Sequence, residues 1–346
     1  MTYPLTIDEQ SRIPKYQQIV DGIIASVAHG QLHLEEKIPS INALSEQFGL
    51  SRDTVEKAYN ILKEREVITS VKGKGFYIAR TPLLGRTNVL FLVNKPSTYK
   101  MQIYNSFVQQ LGDQAHTDLH IYHCDETLFL NILTKNLRTY DYYVIMPHFK
   151  TAGLQHVSHT PAVVATMNQL PENKVLLLDN NLIELKQRHA EVYQDFEDDI
   201  YRALGEGLHQ IRKYNKLTLV YPRRSVYPYP KRILYGFRHF CVQHDLPFAV
   251  IDAVGPDMAL TPGHLLITIE EADLVNLVKQ IRDRGLRLGQ DIGVVSYNDT
   301  PLKDLLGITV ISTDFTAMGQ TAANLVAERR VAQVRNPFRW VARESV

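Results

Sequence analysis

Two textures of hydrophobic patterning follow one another along this chain. Tyr16, Ile19, Val20, Ile23, Ile24 and Val27 recur at the three-and-four spacing of one helix face. Pro14 suits the opening of that helix and Gly30 its end. Pro39-Ser40 starts a second helix carrying Ile41, Leu44 and Phe48, and Gly49-Leu50 makes a tight turn. Ser51 is a good N-cap for a third helix, along which Thr54, Val55, Ala58, Tyr59 and Leu62 recur. After Arg65 the period shortens. VITSV and GFYIA flank Lys72-Gly73-Lys74-Gly75, which predicts a hairpin with a flexible basic tip.

Beyond a Pro- and Gly-containing stretch at 79–87 the pattern changes. Short continuous apolar runs (VLFLV, YYVIM, VLLLD, LTLVY, HLLITI, IGVVSY) alternate with longer helical segments. Strands apolar on both faces and separated by helices predict parallel sheet covered on both sides. Six or more such strands are more than one small sheet needs, so two α/β lobes with a cleft between them are expected. The predicted organisation is a helical domain with a β-hairpin over 1–78, a linker over 79–87, and a two-lobed α/β domain over 88–346.

Composition narrows the chemistry. The chain has 346 residues, 22% charged and 45% hydrophobic, with a formal net charge of +1. No stretch of about 18 apolar residues suggests a membrane span. MTYPLTIDEQ lacks the pattern of a signal peptide, so a cytoplasmic protein is expected. Cys124 and Cys241 form no CxxC pair, which argues against a zinc site or a disulfide scaffold. His116, His120 and His123, or His156 and His159, lack acidic or cysteine partners at ligand spacing, so no metal is expected. GxxxxGK[ST], HExxH and GxSxG are all absent, and no enzyme activity or cofactor is expected.

Helix, helix, tight turn, helix and hairpin is the layout of a winged helix-turn-helix, whose third helix enters the major groove of double-stranded DNA. Ser51, Arg52, Asp53, Thr54 and Lys57 lie at or near its leading end. Arg52 can grip guanine or a phosphate with two hydrogen bonds. Ser40 and Asn42, at the start of the second helix, suit phosphate contacts. Lys72, Gly73 and Lys74 would bring cations close to a groove. For any single lysine the alternative is a solvated helix face. Residues 1–80 hold ten Lys+Arg and ten Asp+Glu, so DNA affinity would rest on a few placed cations and on dimerisation.

Pro14 and Tyr16, Gly30-Gln31-Leu32, Ile38-Pro39-Ser40, Ser51-Arg52-Asp53-Thr54-Val55 and Gly73-Lys74-Gly75 occur in the order found in the GntR family, which this segment resembles over about 65 residues. The resemblance implies a bacterial transcription regulator. Asn42 and Glu56 stand where that family commonly has arginines, so its operator preferences do not carry over.

The C-terminal part resembles the sugar-binding core of the LacI family, itself similar to periplasmic binding proteins. Gly285-Leu286, Asp291-Ile292, Tyr297-Asn298-Asp299, a later Thr-Val-x-Ser and the closing Arg343-Glu344-Ser345 carry that likeness. It implies a small-molecule effector, a sugar or sugar derivative, held between the lobes at strand C-termini. The residues implied are Asn94, Ser97 and Tyr99 after the first strand, with Asp179, Glu270, Asn298 and Phe315. The family's arginine three residues before Gly-Phe is Ile233 here, and Lys231 or Arg232 could substitute through a local shift. Asp179 and Glu270 could equally be helix caps, and Phe315 could be core. YPRRSVYPYPKRILYGF is too proline-rich for regular structure throughout, and reads either as a sugar-stacking loop at the cleft mouth or as a plain surface loop. A homodimeric, ligand-switched regulator is one expectation. A DNA-binding protein whose C-terminal domain only oligomerises is the other.

Overall fold

The caps foreseen in the sequence set the N-terminal helices. In the computed structural model, which describes residues 5–9, 11, 13–28, 31–33, 35–71, 73–79, 86–181 and 183–346, helices run over Lys15–Ala28, Ile41–Phe48 and Arg52–Glu64. The expected helix end at Gly30, the hairpin residue Lys72 and most of the 79–87 linker lie outside the described residues. Ser40 and Ser51 each accept a hydrogen bond from the backbone N–H three residues on, at 3.2 Å. Each satisfies a donor that the helix cannot. Gly49 ends the second helix at φ 63°, a left-handed conformation that glycine adopts without a Cβ penalty.

Ile19, Ile23, Leu44, Val55, Tyr59 and Leu62 converge on one core. Burying side chains of this size contributes about 1.5–3 kcal/mol each. The fully buried Tyr59 donates its hydroxyl to the Pro39 carbonyl at 2.7 Å and sets its ring edge-on to Phe76 at 4.9 Å. It thereby fixes the third helix against both the segment before the second helix and the hairpin. That hairpin pairs Ile68–Val71 with Gly75–Ile78, and the two-residue strand Lys37–Ile38 extends it to three strands. The sequence pattern did not predict this extra strand.

The chain divides into two units, one of Met1–Thr87 with Asp113–His116 and one of Asn88–Gly112 with Thr117–Val346. In the second unit two six-stranded sheets form two lobes. In lobe one the spatial order is Gln333–Arg335, Ala190–Tyr193, Val175–Asp179, Tyr142–Ile145, Thr87–Val93, Ala115–Ile121. In lobe two it is Phe248–Ile251, Lys216–Val220, His264–Thr268, Ile292–Tyr297, Thr309–Thr313, Phe338–Val341, and the last of these is antiparallel. All six apolar runs seen in the sequence are strands, and their residues are almost entirely buried, as expected of parallel strands covered on both faces.

The chain passes between the lobes three times: after Tyr193, between Thr313 and Phe315, and between Arg335 and Phe338. The helix Phe315–Ala327, entered at the second crossing, packs along Thr98–Leu111 of lobe one. Gly319 makes that approach possible, because a Cβ there would lie 2.4 Å from the Ile103 carbonyl oxygen. Among the described residues no helix is long and apolar enough to cross a membrane.

Candidate functional site

The leading end of the third helix presents Arg52 and Asp53 to solvent, with Thr54 half-buried. Among the described residues the Arg52 guanidinium meets no carboxylate, so its five donors are available. Asn42 is likewise exposed, one residue into the second helix. Ser40 and Ser51 are committed as caps, and Ser51 Oγ also lies 2.7 Å from Thr54 Oγ1. Lys57 is turned back, its ammonium 3.9 Å from the centre of the Tyr16 ring. Gly73 takes φ 74° at the hairpin turn, beside the exposed Lys74. Of the expected residues, the described ones therefore leave Arg52, Asp53, Asn42 and Lys74 as the free polar groups of this surface. The others serve first to shape it.

The cleft lies where the central parallel strands of both lobes end. Asn94, Ser97, Tyr99, Asp179, Asn298 and Phe315 all line one pocket there, joined by Lys95, Lys100, His148, Gln194 and Tyr297. Water-sized guests could centre within about 80 Å³ of it, which is several water positions at roughly 10–15 Å³ each. Asp179 and Asn298 end the strands Val175–Asp179 and Ile292–Tyr297 at φ 73° and 64°. Aspartate and asparagine tolerate this left-handed region better than other non-glycine residues. Both turn the chain sharply at the cleft.

A buried charge network forms the floor. The Asp179 carboxylate accepts hydrogen bonds from Lys100 Nζ, His148 Nε2 (2.8 Å) and Gln194 Nε2. Burial alone would raise the Asp179 carboxyl, but the Lys100 ammonium and His148 outweigh it and hold it well below the usual carboxylate range. Burial instead lowers both His148 and its neighbour His156, the latter to about 3, so both imidazoles are neutral. His148 Nδ1 and His156 Nε2 lie 2.8 Å apart. With His148 Nε2–H donating to Asp179, its Nδ1 accepts from His156 Nε2–H, an assignment made from the network. His156 thus serves His148 rather than His159.

Polar and aromatic groups bridge the two lobes. Tyr99, from lobe one, stacks on Phe315 at 5.1 Å and donates to Glu271 of lobe two at 3.3 Å. Lys303 of lobe two donates to the Tyr99 hydroxyl at 3.1 Å and to the Tyr297 and Asn298 carbonyls at 3.0 and 2.9 Å. Of the proline-rich stretch, residues 221–230 form a loop beside the pocket and the remainder opens the helix Lys231–Gln243. Tyr229 lines the pocket beneath the Lys95 ammonium, and the Tyr227 hydroxyl meets His123 Nδ1 of lobe one at 2.9 Å.

Three expected residues fall elsewhere. The helix Lys231–Gln243 begins without the register shift that would have brought Lys231 or Arg232 inward. Each residue turns about 100° from the last, and it is Ile233 that faces the pocket. Lys231 lines a neighbouring cavity with His156 and Arg238, and Arg232 is engaged by Asp195 at 2.8 Å and Glu197 at 3.5 Å. Glu270 precedes the helix Glu271–Asp283, its side chain makes no cap hydrogen bond, and it is the preceding Ile269 that lines the pocket. Sequence reasoning missed Lys95, Lys100, His148 and Gln194. Lys95 lies two residues past VLFLV and His148 two residues past YYVIM, so for these two a position just past a strand end was the available signal.

The fold is that of a winged-helix domain joined to a two-lobed domain of periplasmic-binding-protein type. Residues 15–78 match the gntR family of bacterial regulatory proteins, and residues 211–346 match the periplasmic binding protein-like domain. The chain combines these two domains. Among curated relatives, the mannosyl-D-glycerate transport/metabolism system repressor MngR of Escherichia coli (strain K12) is 33% identical over 107 residues, 31% of this chain and 38% of MngR. The regulator TreR of Bacillus subtilis (strain 168) is 29% identical over 109 residues, 32% of this chain and 42% of TreR. The chain thus spans about two-fifths of the length of each. Among solved structures, the trehalose repressor of E. coli superposes with a TM-score of 0.55 at 18% identity, over 74% of this chain and 99% of that one. A LacI family regulator from Lactobacillus casei, solved with bound glucose, gives 0.57 at 14% identity, over 75% and 99%. At these identities the likeness concerns the fold.

Proposed function

We propose that this protein is a ligand-responsive transcription regulator that binds operator DNA as a homodimer and takes a small sugar or sugar derivative between its lobes. One observation carries the effector half of this reading. Two polar groups buried in the cleft, Asn94 Oδ1 and the Tyr297 hydroxyl, have no hydrogen-bond partner among the described residues. Leaving a buried polar group unpaired costs about 1–3 kcal/mol, and both residues line the pocket. A polyhydroxylated guest supplies their partners. The aromatic faces of Tyr99, Tyr229 and Phe315 suit the C–H face of a sugar ring. The names of the relatives and the glucose in the L. casei structure favour the same ligand class.

The winged helix reads DNA through Arg52, Asn42, Lys74 and the helix N-termini capped by Ser40 and Ser51. Lys57, Asp53, Thr54 and Gly73 support that surface. A DNA target places the protein in the cytoplasm, and its role is binding rather than catalysis. Ligand binding changes how the lobes meet, and with them the spacing of two recognition helices. Half-site spacing is fixed by the turn of the duplex, so a small change lowers affinity. Thermal melts against a panel of monosaccharides, sugar acids and sugar phosphates test the effector role. At least one compound should raise the melting temperature. If none does, the reading in which the C-terminal domain only oligomerises takes its place.

A further inference from the structure

We infer, resting on the reading of the cleft as an effector site, that the effector carries an acidic group as well as hydroxyls, and that Lys95 receives the acid. Lys95 follows the first strand of lobe one and points into the pocket, its ammonium 4.7 Å from the centre of the Tyr229 ring. Among the described residues it has no carboxylate within ion-pair distance. The one carboxylate on the floor, Asp179, is already occupied by Lys100, His148 and Gln194. Glu270 of lobe two, like Asp179, attracts the Lys95 ammonium from beyond ion-pair distance. Among the described residues, therefore, the pocket holds two ammonium groups and a single fully engaged carboxylate. Burial, reinforced by repulsion from Lys100, pushes the Lys95 ammonium down to about 8.

A cation desolvated without an ion pair is unfavourable, and the Tyr229 ring face together with the more distant charges of Asp179 and Glu270 offsets this only in part. A neutral sugar would satisfy Asn94 Oδ1 and the Tyr297 hydroxyl but leave Lys95 uncompensated. An inorganic anion would meet Lys95 and leave the apolar walls, Ile233, Ile269 and Phe315, against water. A small ring bearing both hydroxyls and a phosphate or carboxylate meets every one of these groups. Its acid sits beside Lys95 at the end of the first strand, and its hydroxyls lie toward Asn94 and Tyr297.

The test uses matched probes on the full chain: glucose, glucose 6-phosphate and glucuronate, the corresponding mannose and galactose sets, and inorganic phosphate alone. An acidic sugar should raise the melting temperature where its neutral counterpart does not, and the phosphate and carboxylate members show which acid is used. Calorimetry with the responsive compound should then show Lys95→Met losing about 10- to 100-fold in affinity, the range of a hydrogen bond to a charged group, while Lys95→Arg retains most of it. Lys95→Met should also melt higher than the parent when unliganded, which reads the uncompensated charge without any ligand. If a neutral sugar binds as well as its acids, and Lys95→Met binds it unchanged, the anionic inference is overturned while the effector site stands. If no compound shifts the melt, the effector site and this inference fall together.

Discussion

The hydroxyl of Tyr99 and the ammonium of Lys303 lie 3.1 Å apart although they belong to different lobes. Lys303 is nearly inaccessible to solvent, and burial lowers its ammonium to about 8 against the pull of Glu271 and Asp299. With Glu271 on the far side of the same hydroxyl, Tyr99 is held by a cation and a carboxylate of lobe two. Tyr99→Phe keeps the stack on Phe315 and removes both hydrogen bonds. It should cost about 1–3 kcal/mol in denaturant unfolding, and small-angle scattering of the unliganded protein should show more separated lobes. An unchanged stability and profile would remove Tyr99 from the bridge.

Asp179 is the single anion that organises the floor of the cleft. Asp179→Asn preserves shape but leaves Lys100 without its counter-ion, and breaking one partner of a buried pair typically costs about 3–5 kcal/mol. Asp179→Asn combined with Lys100→Met should cost clearly less than the sum of the single variants, because the orphaned charge is gone. Urea unfolding of the four proteins in the cycle provides the coupling energy. Additive costs would mean that the pair is not the organising contact.

Acid should destabilise this domain through its histidines. In the folded protein His156 is held down to about 3 by burial, with His148 next to it, whereas its ordinary value is 6.5. Between those values the unfolded chain carries a proton that the folded chain lacks, so stability falls as pH drops below about 6.5. The side-chain amide introduced by His156→Gln can still donate to His148 Nδ1 but does not titrate. The melting temperature of that variant should therefore decline less between pH 7 and pH 5 than that of the parent. Parallel declines would show that His156 titrates normally in the fold.

The DNA surface makes a separate prediction. Arg52 is exposed and takes no part in the domain core. Arg52→Ala should leave the melting temperature of the winged-helix domain within about 2–4 °C of the parent, since surface changes rarely exceed about 0.5 kcal/mol. It should weaken binding to a selected duplex by about 1–3 kcal/mol if it reads a base. Lys57→Ala, which removes the contact with the Tyr16 ring, should act more on stability than on DNA affinity. Equal loss of DNA binding in both variants would reverse the roles assigned to them.

Legibility in the sequence followed burial. Runs such as VLFLV and VLLLD are covered on both faces and stand out as continuous apolar stretches. Ala115–Ile121, Ala190–Tyr193 and Gln333–Arg335 lie toward the margins of lobe one and mix polar with apolar side chains. Their pairing depends on neighbours that local pattern does not reveal. Residues just past strand ends were found where their neighbours in sequence were distinctive, as at Asp179 and Asn298. Lys100 was not found, because its partner Asp179 is 79 positions away and only the folded sheet brings them together. Lys231 and Arg232 were favoured for their charge, whereas helix register decides which side chain faces the cleft, and it selects Ile233.

In the proposed regulator, occupancy of the cleft controls DNA binding. A duplex selected from a random pool by the full chain, titrated by fluorescence anisotropy at fixed salt with and without the compound that raises the melting temperature, tests it most directly. The compound should change duplex affinity about 5- to 150-fold, the usual span of coupling between two sites, and Lys95→Met should lose that response while still binding the duplex in the absence of the compound. An affinity that is the same with the cleft filled and empty would contradict it.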